Sequence, residues 1–294
     1  MPIKLITILV LLSLVDLARA EPLRILLTND DGFDSPGITA MQKALTAAGH
    51  DVVLVASLNN QSGSGMRVST TGVLDYQEQS AGVWSVDGSP ADAVLVGLLH
   101  VMKDDLPDVV VSGANFGPNL GYAYSSGTLG AATMAMYVGV PAIALSVGVN
   151  PAEYAEQPYP FPSTFAAFDD AADLAVDLLA DLQAASEAGS ALLPDKTVLN
   201  INYPPLSVDN VQGIRIAPAT WDAGVRIAYA ENDDDESGQL HVQLKIMEAG
   251  KESDSDADWQ WLARGYITVT VLDADSDAGS AARGDLAGRL SLID

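Results

Sequence analysis

The chain has 294 residues, 48% of them hydrophobic, a formal net charge of −25 and no cysteine. This length is enough for one large domain with a substantial core. The negative charge argues against binding nucleic-acid polymers, because phosphate backbones attract surfaces rich in Lys and Arg; it does not exclude a single nucleotide in a local metal site. Since no disulfide can form, the core alone must hold the fold together.

The first 20 residues have the pattern of a secretory signal peptide. Lys4 supplies a positive start, Leu5 to Leu17 is mostly apolar, and Ala18-Arg19-Ala20 is an A-x-A cleavage site. The segment is short for a membrane span, and no later apolar stretch reaches spanning length. We therefore expect cleavage after Ala20, export to a periplasm and no membrane attachment afterwards. The alternatives are an uncleaved anchor or a first buried strand.

Strands and helices alternate along the first two thirds of the chain. Short apolar runs predict buried strands at 25–27, 52–56, 109–111, 142–146 and 198–202. Helix start and stop signals predict helices at 36–48, 89–101, 129–137 and 165–185. Residues 66–86 alternate in polarity and predict two or three short strands. This order of elements is typical of an α/β protein with a doubly wound, mostly parallel sheet.

The remainder of the chain is less regular. Residues 148–163 are rich in Pro and Tyr and predict a surface loop. The segments 225–230 and 240–246 alternate in polarity and flank an acidic turn, which predicts a long β-hairpin arm. A last strand is predicted at 266–272 and a weak helix in the tail to Asp294. We expect one domain over 21–294, with a core at about 22–205 and an arm and tail at about 206–294.

Two adjacent carboxylates, Asp30 and Asp31, follow the first predicted strand directly. In doubly wound sheets, ligands bind at the carboxyl ends of the strands. Neighbouring carboxylates repel each other unless a positive charge lies beside them, and a hard divalent cation is the simplest such partner. The alternative is that Asn29-Asp30-Asp31-Gly32 is only a turn, since all these residue types favour turns.

Three more polar segments lie at predicted strand ends or at a helix start. Ser62-Gly63-Ser64 follows the second strand, residues 112–121 with Asn115 and Asn119 leave the third, and Ser126-Gly127-Thr128 begins a helix. Carboxylate, amide and hydroxyl oxygens together can hold a hard cation, and the free N–H groups of a helix start suit a phosphate. A cation beside a phosphate pocket indicates hydrolysis of phosphate esters. The simpler interpretation of Ser-Gly-Thr is an ordinary helix cap.

Several other classes of site are excluded by the sequence. It contains no G-x-S-x-G elbow, no Walker A motif and no G-x-G-x-x-G after the first strand, which argues against a hydrolase triad and against the usual triphosphate or dinucleotide sites. The three histidines have no ligand-like spacing, so we interpret them as structural. The four tryptophans are interpreted as core or interface residues. These residues are His50, His100, His241, Trp84, Trp221, Trp259 and Trp261.

Taken together, the motifs closely resemble the survival-protein SurE family of metal-dependent 5′/3′-nucleotidases. The resemblance covers most of the mature chain and is densest before Ser146. The matching segments are Ile25–Ile38, Asn60–Gly65, Asp87–Val94, Val109–Gly121, Tyr124–Thr128, Leu199–Pro204 and Gly265–Leu272. It implies a Rossmann-like core, an exchanged C-terminal arm, a homodimer or homotetramer, and hydrolysis of nucleoside monophosphates or, in some members, of short polyphosphate.

The resemblance also implies roles for individual residues. Family members hold one divalent cation per subunit, typically Mg²⁺ or Mn²⁺, with residues that match Asp30, Asp31, Ser62 and Asn115. Their phosphate contacts match Asn119, Ser126, Gly127 and Thr128, with the backbone at Gly63 nearby. We hypothesise direct attack by metal-activated water, with Asp30 or Asp31 as ligand and general base and Asn119 stabilising the developing charge.

This sequence departs from the family pattern in several places. Most members have no leader peptide. The Thr that precedes the late Asp of the family is Ala257 here, before Asp258, and a His often present in the tail is missing between Asp273 and Asp294. The loop at 148–163 is also longer. These differences bear on the base pocket and on a contribution of the tail to catalysis.

Two other functions remain open from the sequence. One is a broad-specificity exported acid phosphatase or exopolyphosphatase that uses the same site on other phosphate esters. The other is a non-catalytic periplasmic protein that binds a phosphorylated ligand. A pure binder gains nothing from a metal that activates water, and the chain lacks the two similar lobes typical of such binders.

Overall fold

The computed structural model describes residues 21–121, 123–155, 161–186, 191–219, 225–231, 240–246 and 256–273. The predicted signal peptide, the acidic turn of the arm and the tail lie outside these residues. Eleven strands occur in the part of the chain described, two of them in a separate hairpin. Their bounds are β1 Arg24–Thr28, β2 Asp51–Ser57, β3 Tyr76–Ser80, β4 Val83–Val86, β5 Val109–Phe116, β6 Ala142–Val147, β7 Thr197–Tyr203, β8 Ile214–Ile216, β9 Val225–Glu231, β10 Leu240–Ile246 and β11 Ile267–Asp273.

The helices lie between these strands. Their bounds are α1 Pro36–Ala47, α2 Pro90–Val96, α3 Gly127–Val138, α4 Pro162–Ala166, α5 Phe168–Ala185 and α6 Asp258–Ala263. A π-helical turn, Gly97–Val101, continues α2, and 3₁₀ turns occur at Pro151–Ala155 and Val208–Asn210. Within the described residues, no helix combines the length and the apolar composition that crossing a membrane requires.

The main sheet has nine strands in the order β3-β4-β2-β1-β5-β6-β7-β11-β8. Strands β1, β2, β5, β6 and β7 run parallel, whereas β11 is antiparallel to β7. The chain moves from β1 to β2 on one side and returns to β5 on the other. The gap between β1 and β5 is therefore the topological switch point, where ligands bind in such folds. The predicted doubly wound, mostly parallel α/β fold is confirmed.

Two hydrophobic layers cover the faces of the sheet. Helices α1 and α5 pack on one face against buried side chains such as Leu27 and Leu145. Helices α2 and α3 pack on the other face, against Leu26 and Val110. Both faces of the central strands are buried, which explains why their sequences are continuous apolar runs.

Several predicted boundaries need correction. Strand β5 continues to Phe116, so Asn115 lies in the strand and not in the following loop. The single helix predicted at 165–185 is two helices that meet at Ala167. Phe161, inside the predicted surface loop, is buried and packs against Phe116.

The central sheet extends beyond residue 205, where the sequence predicted the core to end. Strand β11 pairs with β7, and β8 pairs with β11, so the central sheet includes residues up to Asp273. Neither β8 nor α6 was expected from the sequence, because three and six residues are too short for a clear periodic pattern. The hairpin itself is present, with β9 and β10 paired antiparallel from Glu231 and Leu240 to Val225 and Ile246.

Candidate metal and phosphate site at the switch point

Asp30 and Asp31 lie in a tight turn directly after β1, at the switch point. The side chain of Asn29 fixes this turn. Its Oδ1 accepts the N–H of Gly32 at 3.2 Å, and its Nδ2 donates to Ser35 Oγ at 2.8 Å. Gly32 has φ +115°, which a residue with a side chain rarely adopts. The turn therefore carries the two carboxylates in one defined geometry.

Asp30 is the more buried of the two carboxylates, with 3% of its surface exposed. Burial raises its pKa, while the hydroxyl of Thr128 and the backbone N–H groups of Thr128 and Gly127 oppose that rise. Thr128 Oγ1 donates to Asp30 Oδ1 at 2.7 Å. The carboxylate thus lies directly beside the N-terminus of α3.

Asp31 is held by two donors from other segments. The backbone N–H of Phe116 donates to its Oδ2 at 2.8 Å, and Asn60 Nδ2 donates to its Oδ1 at 3.2 Å. Burial, with the nearby charge of Asp30 as a smaller cause, raises the pKa of Asp31 to about 6. Two bonds therefore only partly offset the cost of burying a second negative charge.

The loop with Ser62 and Gly63 lies beside this turn. The N–H of Gln61 donates to the carbonyl of Asp30 at 2.7 Å, and the N–H of Gly65 donates to the carbonyl of Ser125 at 3.0 Å. Ser62 and Gly63 are exposed at the tip of the loop. The structure thus brings the predicted ligand Ser62 to the same end of the sheet as Asp30.

The N-terminus of α3 approaches Asp30 closely. A Cβ added to Gly127 would lie 2.7 Å from Asp30 Cβ and 2.8 Å from its Oδ2, so only glycine fits there. Ser126 Oγ accepts the N–H of Leu129 at 3.1 Å. Ser126 is therefore the helix cap that the simpler interpretation required, and its predicted contact with phosphate would be an additional role.

Asn115 and Asn119 lie at the carboxyl end of β5 and in the loop that follows. Asn115 Nδ2 donates to the carbonyl of Gly117 at 2.6 Å, which leaves its Oδ1 for another partner. Asn119 Nδ2 donates to Thr128 Oγ1 at 3.2 Å and to Ser146 Oγ at 2.9 Å. A chain of hydrogen bonds therefore runs from Asn119 through Thr128 to Asp30.

Two asparagines of β7, which the sequence did not identify as site residues, hold Asn119. Asn202 Oδ1 accepts the N–H of Asn119 at 2.8 Å, and its Nδ2 donates to the carbonyl of Asn119 at 2.9 Å. Asn200 Nδ2 donates to the same carbonyl at 2.7 Å. The only signal in the sequence was the presence of two polar residues in a buried apolar strand.

Asp258 at the start of α6 holds the same loop from another side. This fully buried carboxylate accepts the N–H of Gly121 at 2.7 Å and the N–H of Trp259 at 2.8 Å. Burial raises its pKa. The loop from Gly117 to Gly121 is thus fixed at Asn119 by β7 and at Gly121 by α6.

The donor set fits a hard divalent cation. Among the described residues, no Lys, Arg or His forms an ion pair with Asp30 or Asp31, so their charge lacks a partner that a cation would supply. The described residues contain no cluster of three or more His, Cys, Asp or Glu side chains. The candidate ligands are therefore the two carboxylates together with neutral amide and hydroxyl oxygens. Mg²⁺ and Mn²⁺ favour such oxygens.

The fold and this geometry define a doubly wound α/β protein with two adjacent carboxylates beside a helix N-terminus at its switch point. A family model described as "Survival protein SurE" matches residues 25–223. "5′-nucleotidase SurE 1" of Burkholderia lata is 34% identical over 250 residues, covering 85% of this chain and 90% of that protein. "5′-nucleotidase SurE" of Roseobacter denitrificans is 36% identical over 261 residues, covering 87% of this chain and 95% of that protein.

A solved structure agrees with these sequence matches. The crystal structure of the SurE protein from Aquifex aeolicus superposes with a TM-score of 0.72 at 30% identity, and the match covers 89% of this chain and 97% of that one. The chain belongs to the survival protein SurE family.

Replacing Asn202 by Asp tests the two hydrogen bonds by which Asn202 holds the backbone of Asn119, which we call the Asn202 clamp. The variant keeps the acceptor for the Asn119 N–H but places a second acceptor against its carbonyl. We expect an activity loss of about tenfold or more and a stability loss of about 1–3 kcal/mol, because one buried hydrogen bond is lost. Phosphate release and thermal unfolding measure the two effects.

Thr270→Val is the matched control for this variant. Thr270 is cross-strand neighbour of Asn200, and its buried hydroxyl has no partner among the described residues. We expect nearly unchanged activity and stability. If Asn202→Asp keeps full activity, the clamp does not position Asn119 for catalysis.

Asp31 predicts an unusual pH dependence of the metal-free protein. Its folded-state pKa of about 6 lies above the ordinary 3.8, so the folded protein binds its proton more tightly than the unfolded chain does. The contribution of Asp31 to the unfolding free energy is therefore fully present below about pH 4 and is lost as the pH rises through 6. Between about pH 4.5 and pH 7.5, the unfolding free energy of Asp31→Asn should therefore fall by about 2 kcal/mol less than that of the wild type.

The free energy of unfolding of both proteins is measured by denaturant titration in EDTA at about pH 4.5 and about pH 7.5. Asp31→Asn should gain stability relative to the wild type at the higher pH and should lose the stabilisation that Mg²⁺ or Mn²⁺ gives the wild type. Parallel pH curves for both proteins would show that folding does not raise the pKa of Asp31, and equal stabilisation of both by metal would show that its charge is not paired with a cation.

Proposed function

We propose that this protein is a divalent-metal-dependent nucleotidase that converts nucleoside 5′- or 3′-monophosphates to nucleoside and phosphate. Its membership of the SurE family and the names of its relatives support the class, a phosphoric monoester hydrolase. The single observation that carries the proposal is the hydrogen bond from Thr128 to Asp30, because it joins a carboxylate cation site to a helix N-terminus.

The residues of the chain divide the chemistry between them. Asp30, Asp31, Ser62 and Asn115 would hold one Mg²⁺ or Mn²⁺, which neutralises phosphoryl oxygens and lowers the pKa of a bound water. The N–H groups of Gly127 and Thr128, which lie beside Asp30, would also bind the phosphate at the positive end of the α3 dipole. Gly63 and Ser126 complete that pocket.

Asn119 is the group that would respond to charge developing on the phosphoryl oxygens. In this structure its side-chain Nδ2 donates to Thr128 and Ser146 and Asn202 holds its backbone, so Asn119 would exchange one of the two side-chain bonds for a bond to a phosphoryl oxygen. Asp30 and Asp31 also stand as candidates for the base that accepts the proton of the attacking water.

We further propose that the protein acts after export to a periplasm, as the pattern of residues 1–20 indicates. The mature protein would begin at Glu21, remain free of the membrane and form a homodimer or homotetramer. The hairpin of β9 and β10 carries exposed apolar side chains, including Tyr229 and Val242, that fit such an assembly.

The decisive experiment is phosphate release from a panel of substrates. The protein is stripped with EDTA, given Mg²⁺ or Mn²⁺, and tested on 5′- and 3′-nucleoside monophosphates, sugar phosphates and tripolyphosphate. We expect metal-dependent release with a preference for nucleotides. Release without that preference would favour the broad phosphatase, and tight binding without release would favour the binding protein.

Asp30→Asn tests the site itself. Removing one carboxylate charge should lower the metal-dependent activity by about a hundredfold or more, since metal ligands and their partners typically matter to that extent. Asp34→Asn, an exposed Asp in the same turn region, is the matched control and should keep its activity. Full activity of Asp30→Asn at saturating metal would contradict the assignment.

A further inference from the structure

A row of cross-strand partners leads from the candidate site to the far edge of the sheet. The pairs are Asn115 with Ser146, Ser146 with Asn202, Asn202 with Thr268, and Thr268 with Arg215. Neighbouring strands lie about 4.8 Å apart, so the backbone of Arg215 is about 10 Å from that of Asn202. Arg215 therefore lies at the same end of the sheet as the site, two strands beyond the residue that holds Asn119.

Helix α6 also connects the candidate site with Arg215. Asp258 binds the N–H of Gly121 in the loop that carries Asn119. Trp261 follows three residues later, so it lies on the same face of the helix, one turn away. The guanidinium carbon of Arg215 is 5.1 Å from the centre of the Trp261 ring.

Four side chains form a cationic and aromatic cluster at this position, which we call the Arg215 platform: Arg215, Trp261, Arg264 and Tyr266. Arg215 also lies 4.8 Å from the Tyr266 ring centre, and Arg264 lies 4.9 Å from that of Trp261. The two rings meet edge to face at 5.0 Å. Both arginines are exposed, and the two rings are half-buried.

The charge of this platform is unusual for the chain. The sequence has 39 acidic and 14 basic residues, yet neither arginine forms an ion pair with any other residue that the structure describes. Neither guanidinium donates a hydrogen bond to another described residue, so their N–H groups can donate to a ligand. The platform thus offers an exposed guanidinium beside two aromatic rings.

We propose that the Arg215 platform is the subsite for the base of the nucleotide. A base has a π face that stacks on aromatic rings or on a guanidinium plane, and a purine edge accepts hydrogen bonds from Arg at N7 and, in guanine, also at O6. The phosphate would lie at the start of α3 and the base at the platform. This inference rests on the proposed nucleotidase function and makes Arg215 a specificity-determining residue.

The test compares substrates with and without a base. In the full-length protein, Arg215→Met should lower kcat/KM for GMP by about tenfold or more, mainly through KM, because one stacking and hydrogen-bonding partner is lost. Turnover of ribose 5-phosphate, which has no base, should change much less. Trp261→Leu should show the same pattern, whereas Lys103→Met removes an exposed cation from the opposite end of the sheet and should change neither substrate.

Equal losses for GMP and ribose 5-phosphate would overturn the proposal, because they would show a general electrostatic or structural effect. A loss of activity confined to tripolyphosphate would also overturn the proposal, since the platform would then bind phosphate chains and not bases. If the wild type hydrolyses no nucleotide, the proposed function is contradicted, and the base subsite is then tested by GMP binding alone. Equilibrium dialysis must then show tighter binding of GMP to the wild type than to Arg215→Met.

Discussion

The constraint on which the site depends is the burial of two adjacent negative charges at the end of β1. Asp30 is almost completely enclosed, and burial raises the pKa of both carboxylates. Thr128, Phe116 and Asn60 donate to them, but neutral donors cannot replace a counter-charge. The cation of the proposed function would supply this counter-charge and would thereby add to the stability of the folded protein.

The sheet face that supports this site is unusually polar near its carboxyl edge. Buried hydroxyl and amide side chains follow the apolar positions of the central strands: Thr28, Ser112, Ser146, Asn200, Asn202, Thr268 and Thr270. Several of them, such as Thr28 Oγ1 and Ser112 Oγ, have no partner among the described residues, and such groups destabilise a core. The apolar layer beneath α1 and α5 supplies the compensating stability. Polar groups are therefore concentrated where they can hold the loop with Asn119.

The sequence was sufficient for the parts of the fold that depend on local pattern. Buried parallel strands read as apolar runs, and the carboxyl ends of those strands place Asp30, Ser62 and Asn115 at one edge. The supporting contacts could not be predicted, because Asn202 and Asn119 are 83 residues apart and Asp258 and Gly121 are 137 residues apart. Nothing in the local sequence indicates which buried polar residue will reach which loop. The roles of metal ligand and phosphate contact still rest on the resemblance.

The departure at Ala257 from the family pattern falls on the cap of α6 and leaves the contact with the site intact. Ala257 is the N-cap residue and provides no side-chain hydrogen bond, whereas Ser or Thr in such a position typically stabilises a helix by about 1 kcal/mol. Asp258 still reaches Gly121, so the loop with Asn119 keeps its second attachment. Ala257 therefore leaves the start of α6 without a side-chain cap, while the bond from Asp258 to the loop is kept. Because α6 also carries Trp261, a weaker start of this helix would disturb the proposed Arg215 platform more directly than Asp30 and Asp31, which lie on other elements.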